Sequence, residues 1–357
     1  MKILLATSST GWSGGQHQVY LLAKGLRNRG NVIVVATSYN SELGRRLESE
    51  DIDVRYFRMN KEADVFTILK VASFLRKEHF DVINVHRPTA HTILMVANML
   101  ANRARFFVTR RVPYGIPSRI SAVIKYEWFV DKIIAISNEV KQSLIKTGVK
   151  ERNIEIIPDA IDVGYYDPMR ISALPELISK APIIGTIGNA NRQKGHRYFI
   201  SAIPYIIKRY PDALFVDVGV NDKDKELVDL ACELGVRDKI IFAGFKEDVR
   251  PYLKAMDIFV FPSIVEGLGT SLLEAMSMQK PVVVSKTGGM LDIIVHEENG
   301  IFVSPASARE IADAVCYLLD NTSHAKQLGI QARKTMIERF SVEVVAKRTE
   351  ELFKSVL

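Results

Sequence analysis

Two Rossmann-like α/β domains in one chain are the fold class the sequence predicts, on three observations: a length of 357 residues, a strand-then-helix rhythm that runs through the chain in two series, and glycine-bearing loops where strands end. That length exceeds one comfortable hydrophobic core. A composition of 47% hydrophobic and 25% charged residues places the chain among folded globular proteins rather than disordered or membrane-spanning ones.

The first series opens with KILLATS (2–8), a helix from about Gly14 to Arg29 and VIVVAT (32–37). A helix around Val65–Lys77 then leads to VINV (82–85), and a helix near Thr89–Leu100 to RFFVT (105–109). An amphipathic stretch over 117–130, KIIAIS (132–137) and a helix over 138–146 complete it. Short apolar runs rich in Val and Ile, separated by amphipathic helices, describe a parallel sheet covered on both faces. The second series follows the Pro-, Gly- and Tyr-containing stretch 158–180: PIIGTIG (182–188), LFVDVG (214–219), KIIFAG (239–244), IFVFP (258–262), PVVVS (281–285) and GIFV (300–303). Residues 307–357 read as successive helices. The expected domains are 1–165 and 175–340, with a terminal helix over about 341–357 free to return to the first. Ligands of such sheets bind beyond the strands' carboxyl ends, so the cleft between the domains is the expected active site.

Several classes are disfavoured. Only Cys232 and Cys316 occur, both in helical patterns and expected to be buried spacers, so neither a disulfide framework nor a thiolate metal site is supported. The apolar run Ile3–Ala6 is too short for a signal peptide or a spanning helix, and a cytoplasmic location is expected. The net charge of +7 is asymmetric: residues 1–180 carry 26 Lys/Arg against 18 Asp/Glu, residues 181–357 carry 22 against 23. A basic first half suits an acidic acceptor or an anionic membrane surface; no nucleic-acid recognition module accompanies it.

The most informative segment is FPSIVEGLGTSLLEA (261–275). A strand ends at Pro262, a loop with Gly267, Leu268 and Gly269 follows, and a helix starts near Thr270. Free amides and the positive end of the helix dipole suit a diphosphate, and the glycines allow close approach. Glu266 in the loop is placed to hold sugar hydroxyls, and Glu274, about one turn into the helix, to accept hydrogen bonds from a ribose. Upstream, GTIGNANRQKGH (185–196) ends a strand with Gly188 and Asn189 and sets Arg192 and Lys194 where positive charge can meet phosphates.

The Glu-x7-Glu pattern in SIVEGLGTSLLEAM resembles the signature of group 1 (family 4) retaining glycosyltransferases of the GT-B fold, in which two Rossmann-like domains face each other across a deep cleft. The downstream KPVVVSKTGGMLDIIVHEENGIFVSP, with Gly288-Gly289 and Asn299-Gly300, and the upstream IIFAGFKEDVRPYLKAMDIFVFPS fit the same family. Lys194-Gly195 matches the family's Lys-Gly, whereas Asn189 stands where many relatives carry an Arg, leaving Arg192 as the candidate replacement.

The resemblance implies a metal-independent transferase that moves a sugar from a nucleotide-diphosphate sugar, most commonly a UDP-sugar with GDP- or ADP-sugars as alternatives, with retention at the anomeric carbon. It implies donor contacts from Phe245, Lys246 and Val249 in the base-binding loop, and catalytic roles for His86, Arg192, Lys194 and Glu266. Gly14 and Gly15 resemble the family's first glycine-rich loop. Arg110, Arg111 and Tyr114, at the next strand-to-loop junction, are acceptor-side candidates for a saccharide or lipid-linked acceptor. The basic and aromatic stretch containing Arg119, Lys125, Tyr126, Trp128 and Phe129 suits a phosphate-bearing sugar or a lipid-linked acceptor at an anionic membrane surface, and equally a solvated helix face over an aromatic core.

Three rivals have sequence support. Gly11-Trp-Ser-Gly-Gly15 satisfies a nucleophile-elbow pattern around Ser13, but only about ten residues precede it, too few for a hydrolase scaffold. A non-hydrolysing sugar-nucleotide epimerase shares the two-domain layout, and a non-catalytic sugar-nucleotide-binding module would keep the donor contacts. Asp51/Asp53 and Asp222/Asp224 form Asp-x-Asp pairs with ordinary turn and capping explanations, and His86 and His91 lack a third metal ligand.

Overall fold

The computed structural model describes residues 1–62, 64–101, 104–113, 125–177 and 179–357. Tyr114 and Arg119, expected near the acceptor, lie outside them. The chain divides into two compact units, Met1–Ala160 with Ser341–Leu357, and Ile161–Phe340.

The first unit holds seven strands, β1 (Lys2–Ala6), β2 (Val32–Ser38), β3 (Asp53–Phe57), β4 (Val82–Val85), β5 (Arg105–Arg110), β6 (Lys132–Ala135) and β7 (Ile154–Ile156). They pair in the order β3-β2-β1-β4-β5-β6-β7, all parallel, with Ile3 opposite both Ile33 and Val82. The second unit holds β8 (Ile183–Ile187), β9 (Leu214–Val218), β10 (Ile240–Gly244), β11 (Ile258–Phe261), β12 (Val282–Ser285) and β13 (Ile301–Val303). Their order is β10-β9-β8-β11-β12-β13, again all parallel. Each sheet therefore reverses its winding between two neighbouring strands, β1/β4 and β8/β11. At such a switch point the flanking loops part and leave a crevice for a ligand.

Both sheets are buried because helices cover both faces. Ile3, Leu5, Leu26, Ile33 and Phe107 anchor the first core, and Phe199, Ile203, Phe215, Val260 and Val283 the second. The terminal helix Val342–Lys354 packs on Gly14–Asn28: a Cβ on Gly25 would lie 2.7 Å from Ala346 Cβ, and Phe353 meets Phe107 at 4.6 Å between ring centroids. Buried Glu350 fixes that contact through Arg29 (2.6 Å) and Asn31 (3.0 Å).

Neither cysteine is a buried spacer. Cys232 is exposed and Cys316 only partly buried; the helix Lys225–Glu233 turns Ala231 inward, and its neighbour Cys232 faces water.

Candidate active site

In the second unit the loops after β8 and β11 are locked together by backbone. Gly195 has φ +73°, and a Cβ there would lie 2.0 Å from the Pro262 carbonyl oxygen, so only glycine permits the approach. Ile264 N–H donates to the Gln193 carbonyl at 2.8 Å. Gly289 closes the other side of the β11 loop, donating to Glu266 O at 3.2 Å where any Cβ would strike Gly267 O. This double clamp brings the side chains of Lys194 and Glu266 into an ion pair, both only partly accessible. Gly269, φ +76°, precedes the helix Thr270–Ser277, whose N-terminus has no side-chain cap, and the buried Leu268 anchors the loop below it. The helix's first-turn amides thus lack a side-chain cap next to the loop that carries the ion pair, an arrangement suited to an anion.

The β8 loop has its own support, which sequence reasoning missed. His196 is buried; Nδ1 meets Asp217 Oδ2 at 2.9 Å and Nε2 meets the Asn189 carbonyl at 2.9 Å, tying Gly188–Asn191 to the next strand. Burial raises the Asp217 pKa, and the His196 contact opposes that rise. The residues were visible in GTIGNANRQKGH and LFVDVG, but nothing in their spacing shows them meeting. Arg192 differs from Lys194: its side chain is 85% exposed and pairs with Glu226 at 3.0 Å rather than with Glu266.

Glu274 is half-buried and accepts a hydrogen bond from Tyr166. Burial lifts its pKa from 4.5 to about 7, against the lowering effects of Tyr166 and the Lys194 charge. Tyr166 was not foreseen. Its segment is strapped to this unit by Arg333, which donates to the Tyr166 carbonyl at 2.8 Å, and by Arg250, stacked 3.6 Å from the Tyr165 ring centre. At the end of β10, Phe245 is 79% exposed, Lys246 lies over the Tyr252 ring, and Val249 starts the helix Arg250–Ala255.

The first unit carries a cavity of about 450 Å³ at its own switch point, lined by Gly15, Gln16, His86, His91, Arg110 and Arg111 among others. Gly14 opens the helix behind it, and Gly15 leaves room beside Arg111, whose Cδ a Cβ would meet at 4.0 Å. Arg111 is held by buried Asp159 at 2.9 Å and donates to His86 Nδ1 at 2.9 Å. His86 therefore carries its proton on Nε2, which has no partner among the described residues. Burial first, and the Arg111 charge second, hold the His86 pKa well below its usual value, so the ring is a neutral donor. His91, likewise lowered by burial and by Lys125 and Arg110 to about 3, stacks on Phe106 and meets the Tyr126 ring at a tilt. The basic and aromatic stretch divides: Tyr126 is buried in the cavity wall, Lys125 pairs with Glu62 at 2.8 Å, and Trp128 is exposed.

The second unit thus sets an ion pair beside an uncapped helix N-terminus, and the first holds a cavity lined by His86, His91, Arg110 and Arg111. Two family models match: Glycosyl transferases group 1 over residues 172–335, and Glycosyltransferase Family 4 over residues 12–165. The chain belongs to the group 1 glycosyltransferases. An uncharacterized glycosyltransferase of Methanocaldococcus jannaschii is 38% identical over 235 residues, 62% of this chain and 60% of that protein's length. The UDP-Gal:alpha-D-GlcNAc-diphosphoundecaprenol alpha-1,3-galactosyltransferase of Escherichia coli is 24% identical over 81% of this chain and 79% of its own. The crystal structure of Anabaena Alr3699/HepE in complex with UDP aligns with TM-score 0.85 at 22% identity, covering 99% of this chain and all of that one, and shares the GT-B fold.

For a group 1 glycosyltransferase, Ser13 has an ordinary role. Its backbone is extended, φ −149° and ψ 167°, as befits the residue before a helix, and lacks the strained turn of a nucleophile elbow. Asp53 pairs with Arg55 and Asp222 with Arg237, and Asp224 accepts from the Asn221 amide, so both Asp-x-Asp pairs have local partners. Among the described residues no group of three His, Cys, Asp or Glu side chains is arranged to hold a metal ion.

Proposed function

We propose that this glycosyltransferase moves a sugar from a UDP-sugar to a saccharide or lipid-linked acceptor in the synthesis of a cell-surface polysaccharide, lipopolysaccharide or glycolipid, with retention of configuration and no required metal. The observation that carries the reading is the Lys194–Glu266 pair held against the uncapped N-terminus of Thr270–Ser277, with Glu274 one turn behind. Without donor, each charge neutralises the other. With donor, Lys194 and the helix amides take the diphosphate, Glu266 accepts from sugar hydroxyls, and Glu274 accepts from the ribose. Lys194 carries the electrostatic role usually given to a divalent ion, and Arg192, turned to Glu226, contributes little.

The C1–O bond to the β-phosphate breaks as negative charge collects on the departing UDP. The acceptor oxygen attacks the same face through an oxocarbenium-like transition state and gives its proton to the phosphate oxygen that leaves. In the first unit, the His86 Nε2–H is a neutral donor available to a substrate hydroxyl, and Arg110 and Arg111 are our candidates for holding the acceptor. A UDP donor and a lipid-linked acceptor have support from relatives whose names say they bind UDP or act on a diphosphoundecaprenol-linked sugar. A reducing, cytoplasmic location suits the two free thiols. Incubation with a panel of UDP-, GDP- and ADP-sugars in EDTA, following nucleotide release and the anomeric configuration of the product by NMR, tests the whole reading. Acceptor-dependent release of UDP with retention supports it; an epimerised donor formed without acceptor overturns it.

A further inference from the structure

The helix Val65–Glu78 has a second, largely exposed face of apolar and basic side chains, on which Arg76 donates to the Leu100 carbonyl at 3.1 Å. Thr67, Ile68, Val71, Ala72 and Leu75 turn inward, as an amphipathic helix requires. On the outer side Val65, Phe66 and Leu69 are 63%, 82% and 55% exposed, and Lys70, Arg76 and Lys77 are exposed on the same side. At 100° per residue these six positions span an arc of about 140°, so they form one continuous face. No acidic residue lies on it. The carboxylates at its two ends are occupied: Asp64 caps the helix by accepting from Thr67, and Glu78 pairs with Lys2 at 2.7 Å.

We propose that this face seats the enzyme on an anionic lipid bilayer, with Val65, Phe66 and Leu69 entering the boundary between headgroups and acyl chains and Lys70 and Lys77 meeting headgroup phosphates. Large apolar side chains beside lysines, without acids, match an interfacial helix and an anionic surface. A second copy of the chain fits less well, because a symmetric contact would set Lys70 and Lys77 against their own copies. The segment leading into this helix is tied to the helix that carries His91. Glu62, three residues before the helix, accepts from Thr92 at 2.9 Å, and Thr92 adjoins the cavity residue His91. The inference rests on the lipid-linked acceptor reading only for its purpose, since bilayer binding is measured without acceptor.

The test is co-sedimentation of the full chain with vesicles of phosphatidylcholine alone and of phosphatidylcholine containing about one-third phosphatidylglycerol. Binding to the anionic vesicles is expected, with little to the neutral ones and loss at high salt. Phe66→Ser/Leu69→Ser should weaken the partition about tenfold or more, and Lys70→Gln/Lys77→Gln about twenty-five-fold, at roughly fivefold per charge. Circular dichroism and UDP binding of both variants should match the parent. The proposal is overturned if the parent does not bind anionic vesicles, if both double variants bind as it does, or if it is a dimer in sedimentation velocity that Phe66→Ser/Leu69→Ser converts to monomer. Full transfer to a soluble saccharide without vesicles, alongside intact vesicle binding, would instead discard the lipid-linked acceptor and leave the bilayer seat standing.

Discussion

Glu274 links donor affinity to pH in a way that can be worked from its surroundings. Burial lifts its pKa from 4.5 to about 7. About one-tenth of the carboxyl is then ionised at pH 6 and about nine-tenths at pH 8. If the ionised form accepts the ribose hydroxyls, UDP affinity rises about tenfold across that interval. The Tyr166 hydroxyl is the lever, because its hydrogen bond opposes the rise. Tyr166→Phe removes a hydrogen bond to a charged group, about 1.5 kcal/mol or about one pKa unit, and shifts the midpoint to about 8. At pH 7.5 the ionised fraction falls from about three-quarters to about one-quarter, which weakens UDP about threefold. Calorimetric titration of UDP from about pH 6 to 9 reads both effects, with Glu274→Gln subtracting the titration of UDP's own phosphate. A parent profile that parallels Glu274→Gln, or a Tyr166→Phe profile that does not move, would refute the reasoning.

The same shift affects stability with the opposite sign. An acid whose folded pKa lies above its unfolded value holds its proton more tightly when folded, so its contribution is complete below 4.5 and is lost as pH rises through about 7. Glu274→Gln should therefore raise the stability of the second unit at pH 8, by up to about 3 kcal/mol, while weakening UDP.

Two further outcomes follow from the electrostatics. Lys194→Ala and Glu266→Ala should each lower transfer on the order of a hundredfold, with Lys194→Ala also weakening UDP, while EDTA leaves the parent rate unchanged in a nucleotide-release assay. In the first unit, Glu350 is held down to about 2 by hydrogen bonds from Asn31, Arg29 and Lys354, led by Asn31. A depressed acid stabilises the fold above its unfolded pKa and loses that contribution as pH falls from 4.5 toward about 2. Because water reaches Arg29 and Lys354, Glu350→Gln should cost on the order of 2 kcal/mol in urea melts at pH 7, shrinking toward nothing near about pH 2.

The parallel sheets were legible because buried strands such as KILLA, VINV, IIGTI and IFVF are nearly unbroken apolar runs, and helices between them keep their own period. The edge strands of the first sheet were not, although those of the second, β10 and β13, were read from KIIFAG and GIFV. β3 reads DVRYF, mixed polar and apolar as a half-exposed edge allows, and β7 is only three residues long. The candidate site shows the same division. Gly267, Gly269 and the helix start at Thr270 are local signals, carried by neighbours in sequence. The ion pair of Lys194 and Glu266 spans 72 residues and exists only because β8 and β11 are adjacent. Tyr166 beneath Glu274, Asp159 behind Arg111 and the His196–Asp217 brace depend in the same way on strand order, which periodicity does not encode. The sequence favours Lys194 over Arg192 only through the family's Lys-Gly; a single turn of 3₁₀ helix sends Lys194 to Glu266 and Arg192 to Glu226.

The most direct measurement is a crystal structure of the full chain with UDP. The diphosphate should lie against the amides of Gly269–Thr270 with Lys194 Nζ turned from Glu266 to a phosphate oxygen, and the ribose hydroxyls should reach Glu274. A diphosphate bound elsewhere, with the Lys194–Glu266 pair undisturbed, would contradict the account.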